Sequence, residues 1–189
     1  MGMVIDELSL PPSSRVYELS SRGALFAFLM RRFPDLYFSE YFTDLPPGES
    51  RRGVPCQDVQ ALTLPGGSFD LVTHTEVFEH VPDDRKGFGE IFRVLRPGGV
   101  MVFTVPLTEA QSTVERAEML PDGTVRHLLE PEYHSDRIRG KGTILVFRNY
   151  GRDILDRLSS AGFEAGFRSI ESGPHRIWRR DIVVARKPG

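Results

Sequence analysis

The chain has 189 residues, 40% of them hydrophobic and 26% charged, which is enough apolar material for one packed domain and excludes a disordered or fibrous chain. Its 24 Lys and Arg against 26 Asp and Glu leave a formal charge of −2, so the broad basic footprint that neutralises nucleic-acid phosphates is missing. A single cysteine, Cys56, rules out an intrachain disulfide, and no stretch reaches the ~20 apolar residues of a membrane span.

The amino-terminal "MGMVIDELSLPPSS" has acidic residues early and no basic flank with a long apolar run, so no signal peptide is expected. A soluble, cytoplasmic product follows, with no nucleic acid and no membrane among its partners. Arg176, Arg179 and Arg180 read as a solvated edge.

In chain order, "RVYEL" (15–19) reads as a short strand. "GALFAFLMRRF" (23–33) follows as a helix whose basic residues sit at the carboxyl end, where the helix dipole favours them. "DLYFSEYF" (35–42) is a second strand, and "FDLVTH" (69–74) an apolar strand introduced by the turn "PGGS". From Asp83, the spacing of Phe88, Ile91, Phe92 and Leu95 predicts a helix with one face on a sheet. "RPGG" stops it, and "VMVFTVP" (100–106) is so uniformly apolar that it suits a strand covered on both faces. Ile154, Leu155 and Leu158 mark a last helix closed by Gly162; "EAGFRSI" and "RRDIVVARK" then read as an antiparallel pair.

Strands separated by helices require crossover connections, so the expected fold is α/β, a Rossmann-like doubly wound sheet that is mainly parallel and ends in an antiparallel carboxyl-terminal strand pair. Ligands of such sheets bind beyond the carboxyl ends of the strands, which makes 20–23, 39–44, 73–80 and the segment after 106 the places to look for chemistry. Two segments break the alternation: 43–68, rich in Pro and Gly, and 107–142, too long for an ordinary connection. The second is expected to be a substrate-covering insertion within a single domain spanning 1–189.

The stretches "YELSSRG", "SEYF", "CQDVQALTLPGGSFDLVTHTEVFEHV" and "RVLRPGGVMVFTVP", spread over residues 15–106, together resemble the class I S-adenosylmethionine-dependent methyltransferases of the small type called type 11. The resemblance implies S-adenosyl-L-methionine as cofactor and a small-molecule acceptor methylated on oxygen or nitrogen. It places Glu18 at the end of the first strand, with Ser20 and Gly23 in the loop around the cofactor. Glu40, beside Tyr41, falls on the ribose hydroxyls, Asp58 with Val59 on the adenine edge, and Thr75 close to the methyl group. From the residues alone Glu40 reads equally well as a solvated strand end, and Asp58 as a turn former.

Two departures stand out. "ELSSRGA" keeps only Gly23 of the usual glycine-rich loop, with Ser20 at the first glycine position, and few residues precede the first strand where relatives carry covering helices. Cover must then come from 107–142, from a second copy of the chain or from a partner subunit, or the site is unusually open.

In-line methyl transfer asks mainly for alignment, and a general base only where the acceptor loses a proton. His80, His74, Glu76 and His134 are the candidates, although "EHV" is also a family signature that serves to shape the helix start. Glu132 and His134 are of metal-ligating types, but no helical His pair and no cysteine cluster accompany them, and no metal is expected. A nicotinamide-dependent oxidoreductase is disfavoured because "SSRGAL" lacks G-x-G-x-x-G. The stronger alternative is a non-catalytic cofactor-binding or accessory protein with a degenerate glycine-rich loop.

Overall fold

A computed structural model describes residues 1–135, 142–172 and 178–189; Arg139 and Arg176 fall outside them. Six strands build one sheet: β1 (Val16–Glu18), β2 (Leu36–Phe38), β3 (Phe69–Thr75), β4 (Leu95–Thr104), β5 (Glu164–Ser172) and β6 (Trp178–Arg186). Their order is β5-β6-β4-β3-β1-β2. The pairs β1–β2, β1–β3 and β3–β4 are parallel, whereas β6 runs antiparallel to both β4 and β5. This is the expected mixed sheet. A single parallel bridge between Glu40 and Cys56 prolongs it beyond β2.

Period-two alternation divides the strands between two cores. Val16, Leu71, Val100, Val102 and Ile182 face one side, where helices α1 (Gly2–Glu7) and α2 (Gly23–Arg32) supply Val4, Ile5 and Leu29. Tyr17, Val72, Met101, Phe103 and Val183 face the other, against α3 (Asp84–Val94) and α4 (Ile154–Ser160) through Phe88, Ile91, Ile154 and Leu158. The start of α3 is set by Asp83, whose side chain accepts the backbone N–H of Lys86 at 3.1 Å and satisfies one donor left over by the helix.

The structure departs from expectation in three places. Helix α1 was not foreseen: six residues are too few to show helical periodicity, and its stability comes from burying Val4 and Ile5. Strand β4 begins at Leu95, immediately after α3, and absorbs the "RPGG" turn through a register shift between Phe69 and Leu71 on β3. The 107–142 region holds short antiparallel pairings: 114–115 with 148–149, 117–119 with 125–127, and 133–135 with 143–145.

Gly87 on α3 shows how tightly the turn before the helix is packed. A Cβ there would lie 2.8 Å from the Phe78 ring, which stacks on Phe88 with centroids 4.4 Å apart and has nowhere to move. Gly87→Ala gains about 1 kcal/mol of helix propensity but incurs an overpacking cost of about 1–3 kcal/mol. The expected outcome is a net loss of stability in urea unfolding; a variant more stable than wild type would show that Phe78 is free to shift.

Candidate active site

A cavity of ≈ 350 Å³ opens at the carboxyl ends of β1, β2 and β3, at the lower end of the ~300–1,000 Å³ range of small-molecule sites. Tyr17 and Leu19 come from β1 and its exit, Ser39 to Tyr41 from the exit of β2, and Gln57 to Gln60 from the Pro- and Gly-rich segment. Glu76, Val77 and His80 to Pro82 come from the turn after β3, and Met119, Ile144, Leu145 and Phe147 close the opposite side.

Glu40 is 4% exposed and sits where β1 and β2 splay. Its Oε1 accepts both the backbone N–H and the hydroxyl of Ser21, each at 2.8 Å. The serine of "SSRG" therefore holds the carboxylate in place, a role that sequence reading gave to none of the loop residues. Asp58 accepts the backbone N–H of Gln60 at 2.9 Å and its side-chain amide at 3.2 Å, while Gln60 Oε1 accepts the N–H of Asp83 at 2.9 Å. Gln60 thus ties the Asp58 wall to the start of α3. Val59 is 8% exposed and joins the core beneath.

Four expected contacts fall outside the cavity lining. Glu18 is buried; its Oε2 accepts the Thr73 hydroxyl, and burial drives its pKa up to about 8, opposed by that hydrogen bond and reinforced by the nearby Glu40. Ser20 exchanges 3.3 Å hydrogen bonds with the Arg22 backbone. Gly23 begins α2 at φ +91°, a conformation that glycine adopts without penalty. Thr75 is exposed, with its hydroxyl 3.6 Å from the Met1 sulfur.

The four titratable residues of the β3 exit separate. His74 is fully buried, its ring stacked between Phe103 (4.5 Å) and Phe78 (4.8 Å), with neither ring nitrogen hydrogen-bonded. Burial depresses its pKa from 6.5 to about 3, so the imidazole is neutral and enclosed, away from any acceptor. Glu76 lines the cavity at φ +52°, a strained conformation for a non-glycine residue, while its N–H donates to the Thr104 carbonyl at 2.8 Å. His80 lines the cavity, and its Nδ1 lies 2.8 Å from the Leu145 carbonyl. A carbonyl only accepts, so Nδ1 carries the proton in the neutral ring and Nε2 keeps the lone pair. Glu79 is buried behind it, and burial lifts its pKa to about 8. His134 meets His80 edge to face at 5.0 Å, so the structure brings together residues far apart in the chain.

Arg148 holds this turn from beneath. Its guanidinium donates to the carbonyls of Phe78 (3.2 Å), Val81 (2.5 Å) and Pro82 (2.7 Å), and pairs with Glu115 at 3.0 Å. The Phe147 N–H donates to the Glu79 carbonyl at 2.8 Å.

Comparison with known proteins agrees with this arrangement. Residues 38–103, which include Glu40, Asp58 and the β3 exit, match the methyltransferase domain family. A 2-methyl-6-phytyl-1,4-hydroquinone methyltransferase of Synechocystis is 38% identical over 60 residues, 32% of this chain and 19% of that protein. A ubiquinone biosynthesis O-methyltransferase of Coxiella burnetii is 37% identical over 49 residues, 26% of this chain and 21% of that protein. The chain thus spans about a fifth of the length of these curated relatives. The solved glycopeptide N-methyltransferase MtfA complexed with (S)-adenosyl-L-methionine superposes with a TM-score of 0.60 at 17% identity, covering 100% of this chain and 92% of that one. Residues 38–103 are thus similar to the methyltransferase domain family, and the chain as a whole shares the fold of the solved methyltransferase.

The burial of His74 has a measurable consequence. Below pH 6.5 the unfolded chain takes up a proton that the folded chain refuses down to about pH 3, so stability is full above pH 6.5 and falls as the pH drops. His74→Phe removes this term. Relative to wild type the variant is expected to gain about 2 kcal/mol more at pH 5 than at pH 8 in urea unfolding. An equal difference at both pH values would place His74 in contact with water.

Proposed function

We propose that the chain is an S-adenosyl-L-methionine-dependent methyltransferase acting on oxygen or nitrogen of a small-molecule acceptor. The observation that carries this reading is the cavity at the carboxyl ends of the parallel strands, with the Glu40 and Asp58 carboxylates on one wall. Oε2 of Glu40 accepts no hydrogen bond among the described residues and is suited to a ribose hydroxyl. Asp58, on the next segment, is suited to the adenine amino group. The amino acid end of the cofactor then points towards the loop at Ser20 to Gly23, and the methyl group towards Glu76 and His80.

Methyl transfer from a sulfonium is an in-line displacement, so the protein's main contribution is alignment and exclusion of water. Met119, Leu145 and Phe147 supply an apolar roof from within the same chain, which supports reading the excursion after β4 as the acceptor cover. Such a roof favours an acceptor with an apolar body and one nucleophilic atom at the Glu76 and His80 end. His74 has no part in this arrangement. The relatives' names include an O-methyltransferase and an N-methyltransferase, and both acceptor atoms remain within the proposal.

Calorimetric titration with S-adenosylhomocysteine tests the reading. The wild-type chain is expected to bind one equivalent. Glu40→Ala removes charge-assisted hydrogen bonds of about 1.5–3 kcal/mol and is expected to weaken binding by about 10-fold to 150-fold. No heat at high micromolar ligand, or an unchanged affinity in Glu40→Ala, would overturn the assignment of this wall to the cofactor.

A further inference from the structure

We propose that Glu79, His80 and His134 form a binding site for one divalent first-row transition cation, represented by Zn²⁺, against the wall of the cavity. One ligand atom from each lies within 4.8 Å of the others. The sequence has no spacing that announces such a site, because the hairpin of 133–135 with 143–145 brings His134 to a turn far earlier in the chain.

Glu79 provides the strongest argument. Its side chain is 1% exposed, and among the described residues neither carboxylate oxygen has a hydrogen-bond partner. A buried carboxyl group left this way is costly. What faces it is a pair of imidazoles. His80 Nε2 lies 3.6 Å and His134 Nδ1 3.8 Å from Glu79 Oε1. Two ligands of a tetrahedral ion held at ~2.1 Å are about 3.4 Å apart, so each histidine nitrogen needs to close on Glu79 by only a few tenths of an ångström, while the two imidazoles start within 4.8 Å of each other.

Metal-bound histidines are oriented through their outer nitrogen; that of His80 is hydrogen-bonded, and that of His134 has an acidic neighbour. His80 Nδ1 meets the Leu145 carbonyl at 2.8 Å, and Nε2 is the atom that faces Glu79. His134 Nε2 lies 3.6 Å from Glu132 Oε1, and the other oxygen of Glu132 is held by Arg116 and the Asn149 amide, each at 3.2 Å. That frame turns Nδ1 towards Glu79. Two imidazoles and one carboxylate are a ligand set for a borderline cation, and three protein ligands leave a coordination position open, as catalytic sites do.

His80 lines the cavity, so the open position is available to an acceptor. This last step rests on the methyl-transfer reading. A cation held by these residues would supply Lewis acidity, so that an acceptor hydroxyl in its open position would lose its proton to solvent more readily; its oxygen would bond to the methyl carbon as the sulfur–methyl bond broke, the electron pair staying on sulfur to give the thioether.

The test uses the tag-free chain after dialysis against a chelator, in two separate titrations. Zn²⁺ is followed by competition with a chromophoric chelator, and S-adenosylhomocysteine by calorimetry without metal. One equivalent of Zn²⁺ is expected, with affinity reduced 10-fold to 100-fold in Glu79→Gln and in His134→Ala. His134 is half-buried at the surface, so its variant keeps the test valid should Glu79→Gln fail to fold. Absence of Zn²⁺ binding, or equal affinity in wild type and His134→Ala, would overturn the metal site whatever the cofactor titration gives. Loss of S-adenosylhomocysteine binding alone would count against the cofactor reading and leave the metal site standing.

Discussion

The site depends on one buried cation. Arg148, 3% exposed, donates to three carbonyls of the 78–82 turn and is neutralised by Glu115 and, at 3.7 Å, by Asp84. Arg157 joins both carboxylates, and the Tyr150 hydroxyl donates to Asp84 at 2.8 Å. A desolvated charge of this kind is tolerable only when fully paired, and removing one member of such a network typically costs about 3–5 kcal/mol. The geometric consequence matters more than the energy. The floor of the cavity at His80 and its roof at Leu145 and Phe147 are joined by the same short segment that carries Arg148, through the carbonyls of Glu79 and Leu145.

The parallel strands supply the other half of the arrangement. Because β1, β2 and β3 run in register and in the same direction, their exits fall on one edge, and that edge collects Glu40, Asp58 and Glu76. Strand parity then decides which residues reach the edge. On β3, Val72 and His74 turn into the core shared with α3 and α4, while Thr73 lies against Glu18. The alternation ends with the strand at Thr75: His74 is a neutral imidazole among aromatic rings, whereas Glu76, two positions later and at positive φ, lines the cavity.

The sheet was legible because helix and strand periods alternate along the chain and the 100–106 run is almost uniformly apolar. Glu40 and Asp58, the carboxylates of the proposed cofactor wall, were singled out through the family resemblance, since from the residues alone they read equally well as a solvated strand end and a turn former. The burial of His74 was not legible, since β3 is buried on both faces from Phe69 to His74 and offers no polar alternation to show which side a residue takes. Nor were Ser21, Gln60 and Arg148, whose roles arise from contacts between distant segments. The pairing of His80 with His134 belongs to the same class: it is made by a hairpin whose strands are only three residues long, too short to register as a pattern.

The central claim is that the cavity between Glu40 and His80 receives the adenosyl cofactor. A crystal structure of the chain with S-adenosylhomocysteine tests this most directly. The account predicts ribose oxygens within hydrogen-bond distance of the Glu40 carboxylate, the adenine beside Asp58 and the thioether sulfur directed at the turn carrying Glu76 and His80. Ligand bound elsewhere, or bound here in the reverse orientation with its adenine at His80, would contradict it.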